Sequence, residues 1–194
     1  MMKQYSPCRI FIIIISVIIL GFALQLFISG ILNIIDIYFP DLLSSYKQMV
    51  ENSFSLENGA LRIITVALLA PIGEELVFRG IALHVAGKIF KWKHSRVFAV
   101  LLTSLLFGIY HGNVVQFCYG FAIGIILAVL TICYSSLIPS IILHIAINSS
   151  SYILSMFYIS QAKVIPLTLV SLLLSAALIA ILYLLSDDTR YFDK

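Results

Sequence analysis

The most informative segment of the chain reads Ala70-Pro71-Ile72-Gly73-Glu74-Glu75-Leu76-Val77-Phe78-Arg79-Gly80. Its two adjacent glutamates follow residues 63–73, which carry no charge, and Arg79 is the one charge between Glu75 and Lys88. A charged side chain at the centre of a bilayer costs roughly 3 kcal/mol even on the most lenient scale. Ionisable residues at that depth are therefore functional candidates, and this stretch predicts chemistry inside a membrane helix.

The composition fits a protein whose solvent is lipid. Hydrophobic residues make up 61% of the 194 residues, charged residues only 11%, and the mean hydropathy is +1.09. Residues 97–162 contain no Asp, Glu, Lys or Arg. A soluble core of this size cannot leave so much surface uncharged. We therefore predict an all-α protein, a polytopic membrane helix bundle that forms a single membrane domain over residues 1–194.

Apolar runs divide the chain into about six predicted transmembrane helices. The first run is too long for the apolar part of a signal peptide and is expected to be a retained helix. The second, with 28 residues, exceeds the roughly 20 needed to cross, so it either tilts or breaks at Pro71-Ile72-Gly73. Between the first two, residues 38–59 have the spacing of an amphipathic helix on the membrane surface. The six runs are residues 10–35, 60–87, 97–112, 115–134, 137–160 and 164–185.

Basic residues predict the orientation in the membrane. Lys3 and Arg9 precede the first run, and four more basic residues lie at positions 88–96. Two predicted spans separate the clusters, so both can be cytoplasmic by the positive-inside rule. The net charge of +3 gives no nucleic-acid signature. The cysteines at positions 118 and 133 are expected to be small buried hydrophobic residues, since no CxxC occurs.

Three pairs of side chains four residues apart bring polar groups onto helix faces. They are Glu75 with Arg79, Phe107 with His111, and His144 with Asn148, each pair on a different predicted span. If the three helices pack together, the bundle holds two carboxylates, one guanidinium, two imidazoles and one amide. This set of groups suffices for the hydrolysis of a bond by an activated water molecule.

The chemistry suggests a division of roles. Arg79 is expected to hold Glu75 ionised, while Glu74 points about 100° away from Glu75 on the helix and can hold a water as general base. His111 on a neighbouring helix can share that water or pass its proton to a leaving amine. The imidazole of His144 and the amide of Asn148 are suitable donors for an oxyanion.

The three pairs resemble the motifs of a known family. Glu74-Glu75-Leu76-Val77-Phe78-Arg79 resembles its EExxxR motif, Phe107-Gly108-Ile109-Tyr110-His111 its FxxxH motif, and His144-Ile145-Ala146-Ile147-Asn148 its HxxxN motif. The chain is thus similar to the CPBP family of intramembrane proteases, also called the Abi or CAAX-protease family. That family includes type II CAAX prenyl endopeptidases and bacterial self-immunity proteins. The resemblance covers roughly residues 60–160.

The resemblance implies an intramembrane endopeptidase with a glutamate-activated water and a His/Asn oxyanion site. A metal-free site without a cofactor is preferred, and a zinc ion held by Glu74, His111 and His144 is the alternative. The implied partners are a peptide or membrane-protein substrate and the lipid bilayer, with no nucleic acid. The expected location is a bacterial cell membrane, crossed several times, with a cytoplasmic N-terminus. The catalytic set carried over from the motifs is Glu74, Glu75, Arg79, His111, His144 and Asn148.

Two other functions fit the same sequence. A bacteriocin-immunity or scaffold protein of the same family would bind a peptide or membrane partner without obligatory cleavage. A proton-coupled transporter would use the glutamates and histidines as a relay. Transporters often have broken helices in two matching halves. The sequence shows no such pair, so the transporter ranks last.

Overall fold

The computed structural model of the protein describes residues 5–54, 59–90, 94–157 and 159–186, and in these ranges every regular element is a helix. The all-α bundle predicted from the sequence is therefore confirmed. We number the α-helices and the two π-helical segments separately, in chain order. The elements are α1 (Pro7–Tyr38), α2 (Pro40–Phe54), α3 (Gly59–Ile64), π1 (Thr65–Leu69), α4 (Ala70–Glu75), π2 (Leu76–Ala82), α5 (Leu83–Ile89), α6 (Ser95–Tyr110), α7 (Val114–Tyr134), α8 (Ile138–Ser155) and α9 (Gln161–Leu185).

Each predicted apolar run corresponds to helical structure. Four helices, α1, α7, α8 and α9, are long and apolar enough to cross a membrane. The third run is α6, which is apolar but has only 16 residues. The second run is the continuous helical stretch of residues 59–89, which we call the composite helix. At about 1.5 Å per residue, the 32 residues of α1 exceed a hydrocarbon core of about 30 Å, so α1 tilts or extends beyond it.

The composite helix settles the choice between tilt and break at Pro71. Helical dihedral angles continue through Leu69 (φ −71°, ψ −43°), and α4 follows π1 without a gap. No new half-helix begins at Gly73, so the alternative of a break at Pro71-Ile72-Gly73 is wrong. The chain accommodates Pro71 by widening into the π-helical turn that precedes it. Such π-helical turns inside α-helices are rare and frequently mark functional sites.

Small residues bring the long helices into close contact. A methyl group added at Gly21 of α1 would lie 2.5 Å from Cβ of Ala146 on α8. One added at Gly30 would overlap the side chain of Thr168 on α9. Membrane helices lack a hydrophobic driving force between them and depend on such close packing instead. The small side chains of α1 therefore fix how it sits between α8 and α9.

One end of the bundle holds Arg9 of the first predicted cytoplasmic cluster and Lys88 and Arg96 of the second. Arg9 at the start of α1 donates from Nε to the carbonyl oxygen of Leu185 at the end of α9, over 3.1 Å. Tyr5 stacks edge-on against Tyr134 at the end of α7. The end of α5 and the start of α6 pack against the same half of α7. We call this the basic end; α2 and the turn between α6 and α7 lie at the opposite end.

The amphipathic helix predicted over residues 38–59 is α2, which covers Pro40–Phe54. Leu43 is 3% exposed and faces the bundle, whereas Leu42 is 67% exposed. Lys47 forms an ion pair with Asp36 of α1. Residues 55–58 of the prediction lie outside the described residues. The position of α2 on the membrane surface stays a prediction.

The expectation for the cysteines is half right. Cys133 is buried, but Cys118 is exposed. Cys118 lies on the face of α7 that lines an apolar groove between α1, α2 and α9. Its thiol therefore faces the groove rather than a helix contact.

The close contact at Gly30 yields a prediction about stability. Gly30→Val should lower the thermal unfolding midpoint in detergent, because its methyl groups overlap Thr168, whose hydroxyl is fixed by a 2.7 Å bond to the carbonyl of Val164. Overpacking of this kind costs about 1–3 kcal/mol. Gly73→Ala is the matched control, since no atom lies within 4 Å of its added methyl group. An unchanged midpoint for Gly30→Val would show that α1 and α9 do not pack as described.

Candidate active site

A buried ion pair forms the base of the site. Nη1 of Arg79 lies 2.7 Å from Oε1 of Glu75, and the two side chains are 1% and 0% exposed. Nη2 of Arg79 donates to the carbonyl oxygen of Gly124 on α7 over 3.1 Å. The guanidinium carbon stands 4.3 Å above the ring of Phe107 on α6. The pair predicted from the spacing is confirmed, and Arg79 joins the composite helix to α6 and α7.

The structure places His144 between the two glutamates. Its Nδ1 lies 3.0 Å from Oε1 of Glu75, and its Nε2 lies 3.6 Å from Oε2 of Glu74. A carboxylate only accepts, so Nδ1 carries the proton of the shorter contact. Glu74 is the more accessible carboxylate, with 16% of its side chain exposed against 0% for Glu75. The geometry thus presents Nε2 of His144 and the carboxylate of Glu74 to one another.

His111 reaches the same cluster from α6. Its Nδ1 lies 2.8 Å from the carbonyl oxygen of Phe107, so Nδ1 donates and Nε2 is left as an acceptor. The ring of Phe107 stands edge-on to His111 at 4.9 Å and to His144 at 5.6 Å. Both imidazoles are close enough to Glu74 to interact electrostatically with its carboxylate. One aromatic ring therefore sets the positions of two imidazoles and one guanidinium.

Asn148 is placed against the composite helix. Its Nδ2 donates to the carbonyl oxygen of Val66 over 3.1 Å. In π1 the donor to a carbonyl is the N–H five residues later, as the bond from Ala70 to the carbonyl of Thr65 shows. For Val66 that residue is Pro71, which has no N–H. The side chain of Asn148 thus supplies the hydrogen bond that Pro71 cannot, and one of its two amide N–H groups remains for other partners.

A cavity of about 540 Å³ adjoins this cluster, and we call it the polar cavity. It lies between α1, α2, α7 and α8, and His111, Asn148 and Val66 are among its lining residues. Glu74 and His144 are not part of its lining. Of the four residues expected to act on the water and the oxyanion, His111 and Asn148 line the polar cavity, whereas Glu74 and His144 lie in the adjoining cluster.

The zinc alternative fits these residues only in part. His111 offers Nε2 while its Nδ1 donates to a carbonyl, as metal-bound histidines commonly do. Among the described residues, however, no three His, Cys, Asp or Glu side chains come close enough together to hold a metal ion. Glu74, His111 and His144 therefore do not form a ligand set in this arrangement.

Some participants in the site were missed in the sequence. The sequence predicts Phe107 only as a neighbour of His111 on one helix face, but the face of its ring also carries the guanidinium of Arg79. The backbone carbonyls of Gly124 and Val66 have no sequence signal of their own. Pro71 did offer a signal, because a proline inside a helix frees a carbonyl that another group must satisfy. Which side chain supplies that donor depends on the packing of α8.

The ion pair predicts a specific pattern of stability. Arg79→Met should destabilise the protein by about 3–5 kcal/mol, because it leaves Glu75 charged, buried and without its partner. The double variant Glu75→Gln with Arg79→Met should be more stable than Arg79→Met alone, since it removes both charges and keeps an acceptor for His144. Thermal unfolding in detergent measures both effects. A double variant no more stable than Arg79→Met would contradict the pairing.

The contact between Asn148 and Val66 predicts that the effects of Asn148→Ala and Pro71→Ala on the free energy of unfolding are not additive. Asn148→Ala should lower the free energy of unfolding by about 1 kcal/mol in the wild-type background. It should cost less in the Pro71→Ala background, because the restored N–H at residue 71 can bond to the carbonyl of Val66. Unfolding midpoints of the four proteins give the coupling, and Ser155→Ala on the same helix is the control, expected to be additive. Additive effects of Pro71→Ala and Asn148→Ala would contradict the assignment.

Comparisons with known proteins agree with the geometry. Residues 56–150 match the family model described as "Type II CAAX prenyl endopeptidase Rce1-like", and this segment contains all three motifs. An Escherichia coli protein named "Uncharacterized 24.3 kDa protein" is 33% identical over 93 residues, which are 46% of this chain and 42% of that protein. The chain thus matches less than half the length of that relative. No solved structure gives a significant match. The match over residues 56–150 supports the assignment of the chain to the CPBP, or CAAX-protease, family.

Proposed function

We propose that this protein is an intramembrane endopeptidase that hydrolyses a peptide bond within or beside the bilayer. The observation that carries the proposal is the meeting of Glu74 and Nε2 of His144 at 3.6 Å, inside a bundle of apolar helices. That separation is too long for a good hydrogen bond, and a water molecule can be held by both groups. The family match supports a protease in general terms.

In the proposed reaction Glu74 takes a proton from this water as its oxygen attacks the carbonyl carbon of the scissile bond. Glu75 accepts from Nδ1 of His144 and so keeps the ring oriented toward Glu74. His111, with Nε2 as its acceptor, assists in moving the proton. When the carbon–nitrogen bond breaks, the proton passes to the leaving amine, and the products are a carboxylic acid and an amine.

The oxyanion that forms during the attack needs donors in a site that excludes water. His144 in its protonated form and the remaining N–H of Asn148 are the proposed donors. Asn148 then has two functions, because its other N–H holds the carbonyl of Val66. Arg79 acts through Glu75 as a positioning residue and does not touch the substrate. The proposed mechanism needs no metal ion.

The cavities suit a substrate that belongs to the membrane. The apolar groove that Cys118 lines is a cavity of about 620 Å³, which we call the apolar cavity. It shares Ile28, Leu32 and Tyr119 with the polar cavity. An apolar segment of a substrate could lie in the first while its peptide portion lies in the second. The immunity or scaffold function is the second candidate, since these cavities could bind a peptide without cleaving it.

The role of Glu74 gives a direct test of activity. Glu74→Gln keeps the shape of the side chain and removes the base, so it should abolish turnover and leave the unfolding midpoint nearly unchanged. His144→Ala should slow turnover by roughly 10²–10³-fold if it supplies one oxyanion donor. Quantitative proteomics of membranes from cells that produce wild-type or Glu74→Gln protein should reveal membrane peptides that accumulate uncleaved only with the variant.

The control for this test is Ser44→Ala, an exposed position of α2 that lines neither cavity and forms a local bond to the carbonyl of Asp41. It should process the same peptides as the wild type. Identical peptide profiles for wild-type and Glu74→Gln protein would reject the protease and favour the immunity or scaffold function.

A further inference from the structure

The walls of the polar cavity contain several uncharged polar side chains. Side-chain amides and hydroxyls line it from three helices, and among the described residues of its lining there is no Asp, Glu, Lys or Arg. Amides and hydroxyls can satisfy the N–H and C=O groups of a peptide backbone. A charged side chain would lose its hydration there without a counter-charge. The polar groups used in this argument are those of Gln25, Ser29, Asn33, Gln116, Asn148 and Ser151.

The cavity lies at the end of the bundle opposite the basic end. Its wall includes the second half of α1, the first turn of α7 and the last turns of α8. Three side chains of α2, Tyr46, Met49 and Val50, complete it. The rings of Tyr46 and Tyr119 stand edge-on at 6.5 Å, which joins α2 to α7. Because basic residues favour the cytoplasm, the positive-inside rule predicts that the cavity lies in the non-cytoplasmic half of the membrane.

We propose that the polar cavity binds an uncharged polar peptide segment that is presented from the non-cytoplasmic side of the membrane. The segment would lie along Gln116, Asn148 and Ser151 and pass its scissile bond to Glu74. The volume of about 540 Å³ lies within the usual range of ligand sites. This inference rests on the proposed protease function. It adds the side of the membrane from which the substrate is presented and the absence of charge on the bound segment.

Cysteine labelling tests from which side of the membrane the polar cavity is reached and whether it disfavours charged groups. The measurement needs no catalytic turnover. The background protein carries Cys8→Ala, Cys118→Ala and Cys133→Ala, and three single variants are compared in intact cells. Ser151→Cys reports on the polar cavity, Ser45→Cys on the exposed surface of α2, and His94→Cys on the exposed basic end. The probes are neutral methyl methanethiosulfonate and its impermeant trimethylammonium and sulfonate counterparts.

Charged reagents should modify Ser45→Cys from outside, and His94→Cys only after the cells are permeabilised. Ser151→Cys should react with the neutral reagent, and its preference for neutral over charged reagents should exceed that of Ser45→Cys by at least about tenfold, because the described lining residues include no Asp, Glu, Lys or Arg as a counter-charge. Labelling of His94→Cys from outside would overturn the orientation. If Ser151→Cys does not react with the neutral reagent, or shows the same preference as Ser45→Cys, the proposal that the polar cavity binds uncharged groups is wrong.

A second measurement tests the peptide itself. In detergent, an end-blocked hexapeptide of Ser, Asn and Gly should slow the neutral labelling of Ser151→Cys, whereas its Lys-containing or Glu-containing counterparts should not. Equal protection by all three, or by none, would reject the substrate class. The same result is expected with Glu74→Gln added, so a failure of the protease test leaves this measurement standing, and a failure here leaves the protease proposal intact.

Discussion

The buried pair of Glu75 and Arg79 is the interaction on which the site depends. An ion that leaves water for a low-dielectric interior loses several kcal/mol unless excellent partners replace the water. Arg79 has a carboxylate, a backbone carbonyl and an aromatic face as partners. Glu75 has Arg79 and His144 on the same oxygen. The other partners, Phe107, Gly124 and His144, come from α6, α7 and α8, so this pair is satisfied only when these helices are assembled around the composite helix.

Pro71 lies four residues before Glu75 in the composite helix and leaves a backbone carbonyl without a backbone donor. Pro71 cannot donate, and the composite helix widens into π1 just before it. The carbonyl of Val66 then takes its hydrogen bond from Asn148 on α8. In lipid, where water cannot replace a lost partner, such a bond has to come from a neighbouring helix. The local irregularity thus determines which residue of α8 faces the glutamates.

The two cavities divide the surroundings of the cluster by polarity. The polar one adjoins His111 and Asn148, and the apolar one shares a wall with it. A buried oxygen of Glu75, Oε2, has no hydrogen-bond partner among the described residues. Buried polar atoms of this kind are usually satisfied by an ordered water. A water in the cluster is also what a hydrolytic reaction requires.

The sequence by itself determined the class of the protein and the set of its reactive groups. Long apolar runs can only become helices in lipid, because each backbone polar group must be satisfied within its own segment; the runs correspond to helical structure. The i,i+4 spacing fixed the pair of Glu75 and Arg79, since both lie on one helix. The contacts between different helices could not be predicted from the sequence. The place of His144 between the glutamates, the face of Phe107 under Arg79 and the donor for Val66 depend on how α6, α7 and α8 pack, and close packing is set by the whole interface rather than by any one segment.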